Sequence, residues 1–128
     1  MVGLGVASFG HISGVHMQNQ DKWESYSDAI ARGEIPLSRA YRPTTEERMI
    51  RELVLQLKLG SVTPAYFVEK YGVNILERFR TQLASLRDEG YATEVSERLV
   101  SLSRDGLLKV DVLLPRFFLP QHVGIRYT

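Results

Sequence analysis

The segment from Thr44 to Gly60 constrains the fold more than any other part of the sequence. Its apolar residues recur at the spacing of one helical face, and Thr44 with Glu47 has the pattern of a capping box. Gly60 follows the last apolar position, as is typical of a helix end. An amphipathic helix must bury its apolar face, so this segment predicts a packed helical domain. The apolar positions are Met49, Ile50, Leu53, Val54 and Leu57.

Further start and stop signals follow this helix. A capping threonine before a proline predicts a short helix, and an Asn74 to Glu77 pair predicts a third. Two short strand-like runs, 91–95 and 98–102, predict a small hairpin, after which Ser103 caps a closing helix that reaches Leu114. We therefore predict an α+β, mainly helical fold, with a winged-helix-like domain over residues 44–128. Its elements are three helices, a small β-hairpin and the closing helix.

Residues 1–43 have a different pattern. We predict a strand over 2–10, a loop over 11–14, a helix over 21–32 with Asn19 as its cap, and an extended, proline-containing connector over 34–43. The first strand has no polar residues before it. It is typical of a strand taken from a larger sheet, and we expect the natural chain to extend before it. The boundary between the two domains is predicted at 43/44.

Composition excludes several classes of function. The chain has 128 residues, 44% apolar and 24% charged, with a formal net charge of +1, which is typical of one ordinary globular protein without a nucleic-acid-binding or membrane-binding charge excess. It contains no cysteine, so it offers no thiolate for zinc or for an iron–sulfur cluster. We see neither a signal peptide nor an apolar stretch of membrane-spanning length, and we predict a cytoplasmic protein without a membrane partner.

The same segments resemble one protein family. Gly3-Leu4-Gly5-Val6-Ala7-Ser8, followed by Gln18-Asn19, resembles the last barrel strand of oxygen-independent coproporphyrinogen III oxidases and their relatives. Gly33-Glu34-Ile35-Pro36, the helix start at Glu46, Tyr71-Gly72 and the run from Leu102 to Leu107 resemble that family's C-terminal domain. The likeness extends along nearly the whole chain, and the order of its pieces carries most of its weight.

The resemblance implies a parent protein of the radical S-adenosylmethionine class. Such a parent holds a 4Fe-4S cluster on three cysteines, cleaves S-adenosylmethionine and decarboxylates the propionates of coproporphyrinogen III. Residues 1–43 would then be the remnant of the barrel's last strand, helix and connector. Residues 44–128 would be an accessory domain that covers a tetrapyrrole substrate beside the N-terminal barrel. The family also includes haem-chaperone and haem-utilisation branches, which stay open as alternatives.

The resemblance also implies the candidate cofactor contacts. Val6, Ala7, Ser8 and Phe9 match a strand that lies near S-adenosylmethionine in the oxidases, although those enzymes carry another apolar residue where this chain has Phe9. We predict no catalytic residue, metal ligand or cofactor of this chain's own. His11 and His16 invite a metal hypothesis, but the sequence pattern supplies no third ligand.

Three groups of residues in this sequence have competing functional and structural interpretations. A winged helix raises DNA binding through the third helix, with Arg78, Arg80 and Arg87 on or near it, but Glu77, Asp88 and Glu89 offset them. The carboxylates Glu46, Glu47 and Glu52 are explained by the preference of a helix start for acidic residues. The aromatic residues are explained by burial, apart from Phe117, Phe118 and Leu119 between two prolines, which we predict to be an exposed apolar segment. That segment and the first strand could support self-association.

Overall fold

The computed structural model describes residues 1–123 and divides the chain into two units, Met1–Thr44 and a second that begins at Thr45. Unit 1 contains β1 (Phe9–Ile12), β2 (Val15–Asn19), α1 (Trp23–Ala31) and β3 (Leu37–Tyr41). The three strands form one antiparallel sheet in the order β1-β2-β3. This is a meander in which each strand pairs with the next in sequence.

The strand predicted over residues 2–10 is not formed as such. Gly5 and Ala7 have φ values of 108° and 57°, in the left-handed region, so the chain turns here and the strand begins only at Phe9. The predicted loop over His11 to Gly14 is also wrong for its first half, because His11 and Ile12 belong to β1 and only Ser13 and Gly14 form the turn to β2. Ser13 and Gly14 both have positive φ, 49° and 77°, which is the conformation of a two-residue type I′ turn.

Helix α1 starts later than predicted and is capped differently. Its N-cap is Lys22, without a side-chain bond, whereas Asn19 lies in β2 and bonds to the N-terminal turn. Trp23 and Ile30 are exposed, and Ala29 is the buried residue of the helix. The predicted connector contains β3, which pairs with β2 as an edge strand after Pro36 and is fully exposed.

Unit 2 alternates helices with short strands. The elements are α2 (Thr45–Lys58), β4 (Ser61–Val62), α3 (Pro64–Tyr71), α4 (Ile75–Arg78), α5 (Arg80–Asp88), β5 (Ala92–Val95), β6 (Val100–Leu102), α6 (Arg104–Leu108), α7 (Val110–Leu113) and two 3-10 turns, Leu114–Phe117 and Pro120–His122.

The principal helix of the prediction is confirmed. All five residues of its apolar stripe are buried, and Gly60 follows it with φ of 113°. Around this stripe, side chains from α3, α4, α5, β5, β6 and α7 form the core. Its largest fully buried side chains are Phe67, Phe79, Phe117, Leu53, Leu57, Ile75, Leu86, Leu114 and Val100.

The predicted third helix is broken at Phe79. Asn74 caps its start as predicted, accepting a bond of 3.0 Å from the Leu76 amide. Phe79 then leaves helical geometry, with φ −117° and ψ 31°, and packs edge-on against the Phe117 ring at 5.2 Å. Burying this ring takes precedence over continuing the helix, so α4 and α5 are separate.

The predicted hairpin is confirmed as β5 and β6, and it gains a strand that the sequence did not reveal. The short strand β4 pairs with β6, giving a sheet in the order β4-β6-β5. A strand of two residues is too short for a period-2 pattern. The pairing of β4 with β6 therefore depends on tertiary packing and not on a local sequence pattern.

The closing helix predicted from Ser103 to Leu114 is divided. Ser103 caps its start as predicted, accepting a bond from the Gly106 amide at 3.1 Å, but Lys109 has φ −108° and separates α6 from α7. A 3-10 turn then carries Phe117 into the core, where it is 1% exposed. The prediction of an exposed 117–119 segment is therefore wrong for Phe117, while Phe118 is 37% exposed.

Candidate functional site

The four predicted cofactor contacts lie in and beside the N-terminal turn. Val6 and Ala7 are in the turn, Ser8 leaves it, and Phe9 opens β1. The Asn19 amide of β2 donates to the carbonyls of Gly3, at 3.2 Å, and Gly5, at 3.0 Å. One strand side chain thus supports a turn that also has a backbone bond of its own, from the Ser8 amide to the Gly5 carbonyl at 3.4 Å.

The polar groups of this turn are used within the chain. The Ala7 backbone amide donates to the Gln20 carbonyl at 2.8 Å, and the Ser8 carbonyl accepts from the backbone amide of Asn19 at 2.9 Å. The Ser8 hydroxyl donates to the Leu4 carbonyl at 2.8 Å. The side chains of Val6 and Phe9 are apolar, and Phe9 is 48% exposed.

The glycines of the turn have a packing reason. A Cβ atom at Gly3 would overlap the backbone carbonyl of Phe9, and one at Gly10 would lie 3.2 Å from the Gly3 nitrogen. The two backbone segments can approach only because these side chains are missing. The glycines do not form a dinucleotide-binding fingerprint, since that motif opens directly onto a helix and here a hairpin follows.

The hairpin places His11 directly opposite His16. Their rings are stacked, with centroids 4.5 Å apart and an interplanar angle of 23°. The third histidine, His122, lies in unit 2, where its Nε2 is 2.7 Å from a Glu47 carboxylate oxygen. Within residues 1–123, no group of three or more His, Cys, Asp or Glu side chains is arranged to hold a metal ion.

A polar cluster joins α2 to α3. The Glu52 carboxylate accepts hydrogen bonds from the Tyr66 hydroxyl, from the Tyr71 hydroxyl at 2.5 Å and from Lys70 Nζ at 2.8 Å. Partial burial alone would raise the pKa of Glu52, but the bonds from Lys70, Tyr66 and Tyr71 outweigh it and lower the pKa to about 2. The sequence pattern did not reveal this cluster, because its members lie on different helices. Its carboxylate is fully engaged, which is typical of a structural group.

The other carboxylates considered from the sequence are engaged as well. Glu46 accepts from Arg78 at 2.6 Å, and Glu47 contacts His122. Their arrangement supports the structural interpretation over a catalytic one.

Acidic partners accompany two of the three arginines that would support DNA binding, whereas Arg80 forms no ion pair within residues 1–123. Arg78 binds Glu46, Arg87 is 3.6 Å from Asp88, and Arg98 of the β5–β6 hairpin binds Glu94 at 2.8 Å. A phosphate-binding surface needs surplus cations that are not already neutralised. These pairs do not form such a surface.

A shallow cavity of about 160 Å³ lies between the start of α2, the end of α3 and α4. Ligand pockets for drug-sized molecules usually have volumes of roughly 300–1,000 Å³, so a tetrapyrrole would not fit inside it. Phe67, Phe79 and Phe117 are buried in the core, whereas Trp23, Tyr41 and Tyr66 are exposed, so the expectation that burial explains the aromatic residues holds only in part. The lining residues are Thr45, Glu46, Met49, Tyr71, Val73 and Arg78.

None of the helices within residues 1–123 is both long enough and apolar enough to cross a membrane.

No family model matches the chain. The heme chaperone HemW of Bacillus subtilis (strain 168) is 33% identical over 107 residues, which is 83% of this chain and 28% of the chaperone. The solved structure of coproporphyrinogen III oxidase (HemN) from Escherichia coli, described as a radical SAM enzyme, matches with a TM-score of 0.80 and 19% identity.

The structural match covers 89% of this chain and 27% of the oxidase chain. The chain therefore spans little more than a quarter of the length of either relative. The oxidase shares the fold, and the chaperone shares sequence as well. Together they confirm the resemblance that the sequence indicated: the chain is similar to a C-terminal region of the oxygen-independent coproporphyrinogen III oxidase-like radical S-adenosylmethionine proteins.

Proposed function

We propose that this chain is the accessory, substrate-covering part of a coproporphyrinogen III oxidase-type radical S-adenosylmethionine protein of the cytoplasm, and that it is not catalytic by itself. The observation that carries the proposal is the likeness to about a quarter of both relatives, together with a sequence that contains no cysteine. A cluster held on three thiolates must therefore come from a parent's barrel. The cofactors would supply the radical there, and this chain's residues would enclose the substrate.

We further propose that unit 2 is a winged-helix-like domain. The order α2, β4, α3, α4–α5, β5, β6 supports this, because three helical segments precede a hairpin that is completed by an early strand. In this interpretation β5 and β6 are the wing and α5 is the third helix. A fold of this type is no argument for DNA binding.

In unit 1, the proposed role of Val6 and Phe9 is to form an apolar wall beside S-adenosylmethionine. Ala7 and Ser8 would hold the turn through the backbone and hydroxyl bonds described above. Neither residue supplies a proton or an electron in this proposal. Their contribution is position and the exclusion of water.

Deleting residues 45–128 from a full-length protein that contains this chain tests the proposal. We expect iron content and cluster absorbance to stay nearly intact, while S-adenosylmethionine cleavage becomes uncoupled from substrate decarboxylation. The deletion leaves unit 1 in place, so a loss of cluster assembly would point to a structural role instead. Decarboxylation of coproporphyrinogen III at the normal rate after deletion would refute the covering role.

The 33% identity to a heme chaperone favours a second candidate, the equivalent domain of a haem-carrying relative. The same full-length protein separates the two. An oxidase converts coproporphyrinogen III with consumption of S-adenosylmethionine, whereas a chaperone binds haem and passes it to an acceptor protein without decarboxylation. Spectral titration with haem, run beside the decarboxylation assay, distinguishes them.

A further inference from the structure

The β1–β2 hairpin presents two imidazoles at one point of its surface. Its turn has two residues, Ser13 and Gly14, so the closing pair is hydrogen-bonded and the next pair, His11 and His16, is not. The backbone agrees, because the His11 amide and carbonyl bond to Met1, at 2.7 and 2.9 Å, and not to β2. Non-hydrogen-bonded pairs hold their side chains closest together, with Cα atoms about 4.5 Å apart.

The two rings therefore share one face of the sheet, with centroids 4.5 Å apart. His11 is exposed and His16 is half-buried, so an ion from solvent can reach them. The last side-chain torsion of histidine is broad, and small rotations can turn one nitrogen of each ring towards a common point. Nitrogen ligands bind zinc at about 2.0–2.1 Å, so the two nitrogens must come within about 4 Å of each other, a distance close to the 4.5 Å between the ring centroids.

We propose that His11 and His16 chelate one borderline divalent transition-metal ion, with Ni²⁺ and Zn²⁺ as suitable ions and water completing the coordination. Imidazole is a preferred ligand for both ions, and the site needs no thiolate or carboxylate. The cross-strand pairing places the rings side by side before the ion arrives, which reduces the ordering cost of binding. The sequence pattern supplies no third protein ligand, but water can occupy the remaining positions of an open metal site.

The test uses the 128-residue chain without a histidine tag, titrated with NiCl₂ by calorimetry and followed by amide NMR. We expect one ion per chain, competition by ZnCl₂, and broadening of amide signals confined to β1, β2 and the neighbouring part of β3. His11→Phe keeps an aromatic cross-strand pair but removes a ligand nitrogen. The affinity of this variant for Ni²⁺ should fall by at least about 10-fold. Loss of an outer-shell partner alone lowers the affinity of a metal site by roughly 10- to 100-fold.

His122→Gln is the matched control, since it removes a histidine from unit 2, and it should leave the affinity unchanged. Circular dichroism and the spread of amide signals report whether each variant is folded. Wild-type affinity in folded His11→Phe, or broadening around Glu47 and His122 in place of the hairpin, would overturn the proposal. Because the broadening is read in the unmodified chain, it decides the location even if a variant does not fold.

Discussion

At the residue scale, the same side-chain type has different roles according to what its neighbours supply. A helix-start preference was expected to explain Glu46, Glu47 and Glu52, but only Glu46 and Glu47 lie in the first turn of α2, and Glu52 lies in the middle of the helix. Each carboxylate also has a partner from outside α2: Arg78 for the first, His122 for the second, and the α3 cluster for the third. Sequence spacing within one helix cannot reveal partners that arrive from other elements.

The Glu52 cluster yields a prediction on stability. Glu52→Gln removes the ionised acceptor shared by Tyr66, Tyr71 and Lys70, and should lower the free energy of unfolding by about 1–2 kcal/mol at neutral pH. The folded pKa of about 2 lies below the usual 4.5, so the ionised carboxylate stabilises the fold above pH 4.5. This contribution is lost as the pH falls towards 2. Urea unfolding at several pH values measures it.

The control for this prediction is Glu69→Gln, which removes the same charge from the exposed face of α3. Its effect on the free energy of unfolding should stay within about 0.5 kcal/mol, as for most surface substitutions. If Glu52→Gln were no more destabilising than this control at pH 7, the cluster would have no structural role. If the free energies of unfolding of the wild type and Glu52→Gln differed as much at pH 2 as at pH 7, the prediction would also be contradicted.

At the element scale, secondary structure was predictable where local signals and tertiary packing agree. The stripe of α2, the Asn74 and Ser103 caps and the β5–β6 hairpin followed from the sequence. The predictions failed at Phe79, whose ring packs against Phe117 where the predicted third helix is interrupted, and at Phe117, which was predicted to be exposed and is buried. They also failed at the N-terminal turn, whose shape depends on the Asn19 side chain of another element.

The 3-10 turn at Leu114–Phe117 gives a matched pair of substitutions. Phe117→Ala removes a ring that is 1% exposed and should lower the free energy of unfolding by about 3–5 kcal/mol. The next residue, Phe118, is 37% exposed, and Phe118→Ala should cost less than about 1 kcal/mol. Denaturant unfolding of both variants tests the difference. Equal effects would mean that the turn does not carry Phe117 into the core.

At the scale of the whole molecule, burial is distributed unevenly. The apolar core lies in unit 2, whereas Ala29 and Gln18 are the buried hydrophobic and polar residues recorded for unit 1. The sequence predicted a boundary at 43/44, and the structure divides the chain after Thr44. The candidate cofactor residues could be proposed only through the family resemblance, since Val6 to Phe9 contain no chemical group that announces a ligand.

The uneven burial predicts unequal local stability. Amides of β2 should exchange with solvent through openings of lower free energy than the amides of Met49 to Leu57, because local stability follows the density of buried contacts. Native-state hydrogen exchange by NMR measures both in one sample. Limited proteolysis should correspondingly remove unit 1 first. Equal protection of β2 and α2 would contradict the prediction.

The sheet of unit 2 has a consequence for the order of events on the ribosome. Its central strand, β6, pairs Ser101 with Ser61 and also holds β5. The β1–β2 hairpin needs only neighbouring residues and can form within about 1–10 μs of its synthesis. The strand β4, by contrast, must wait until β6 has left the exit tunnel, and the apolar stripe of α2 stays incompletely covered during that interval. Nascent chains that contain α2 but not β6 are therefore the ones most in need of a chaperone.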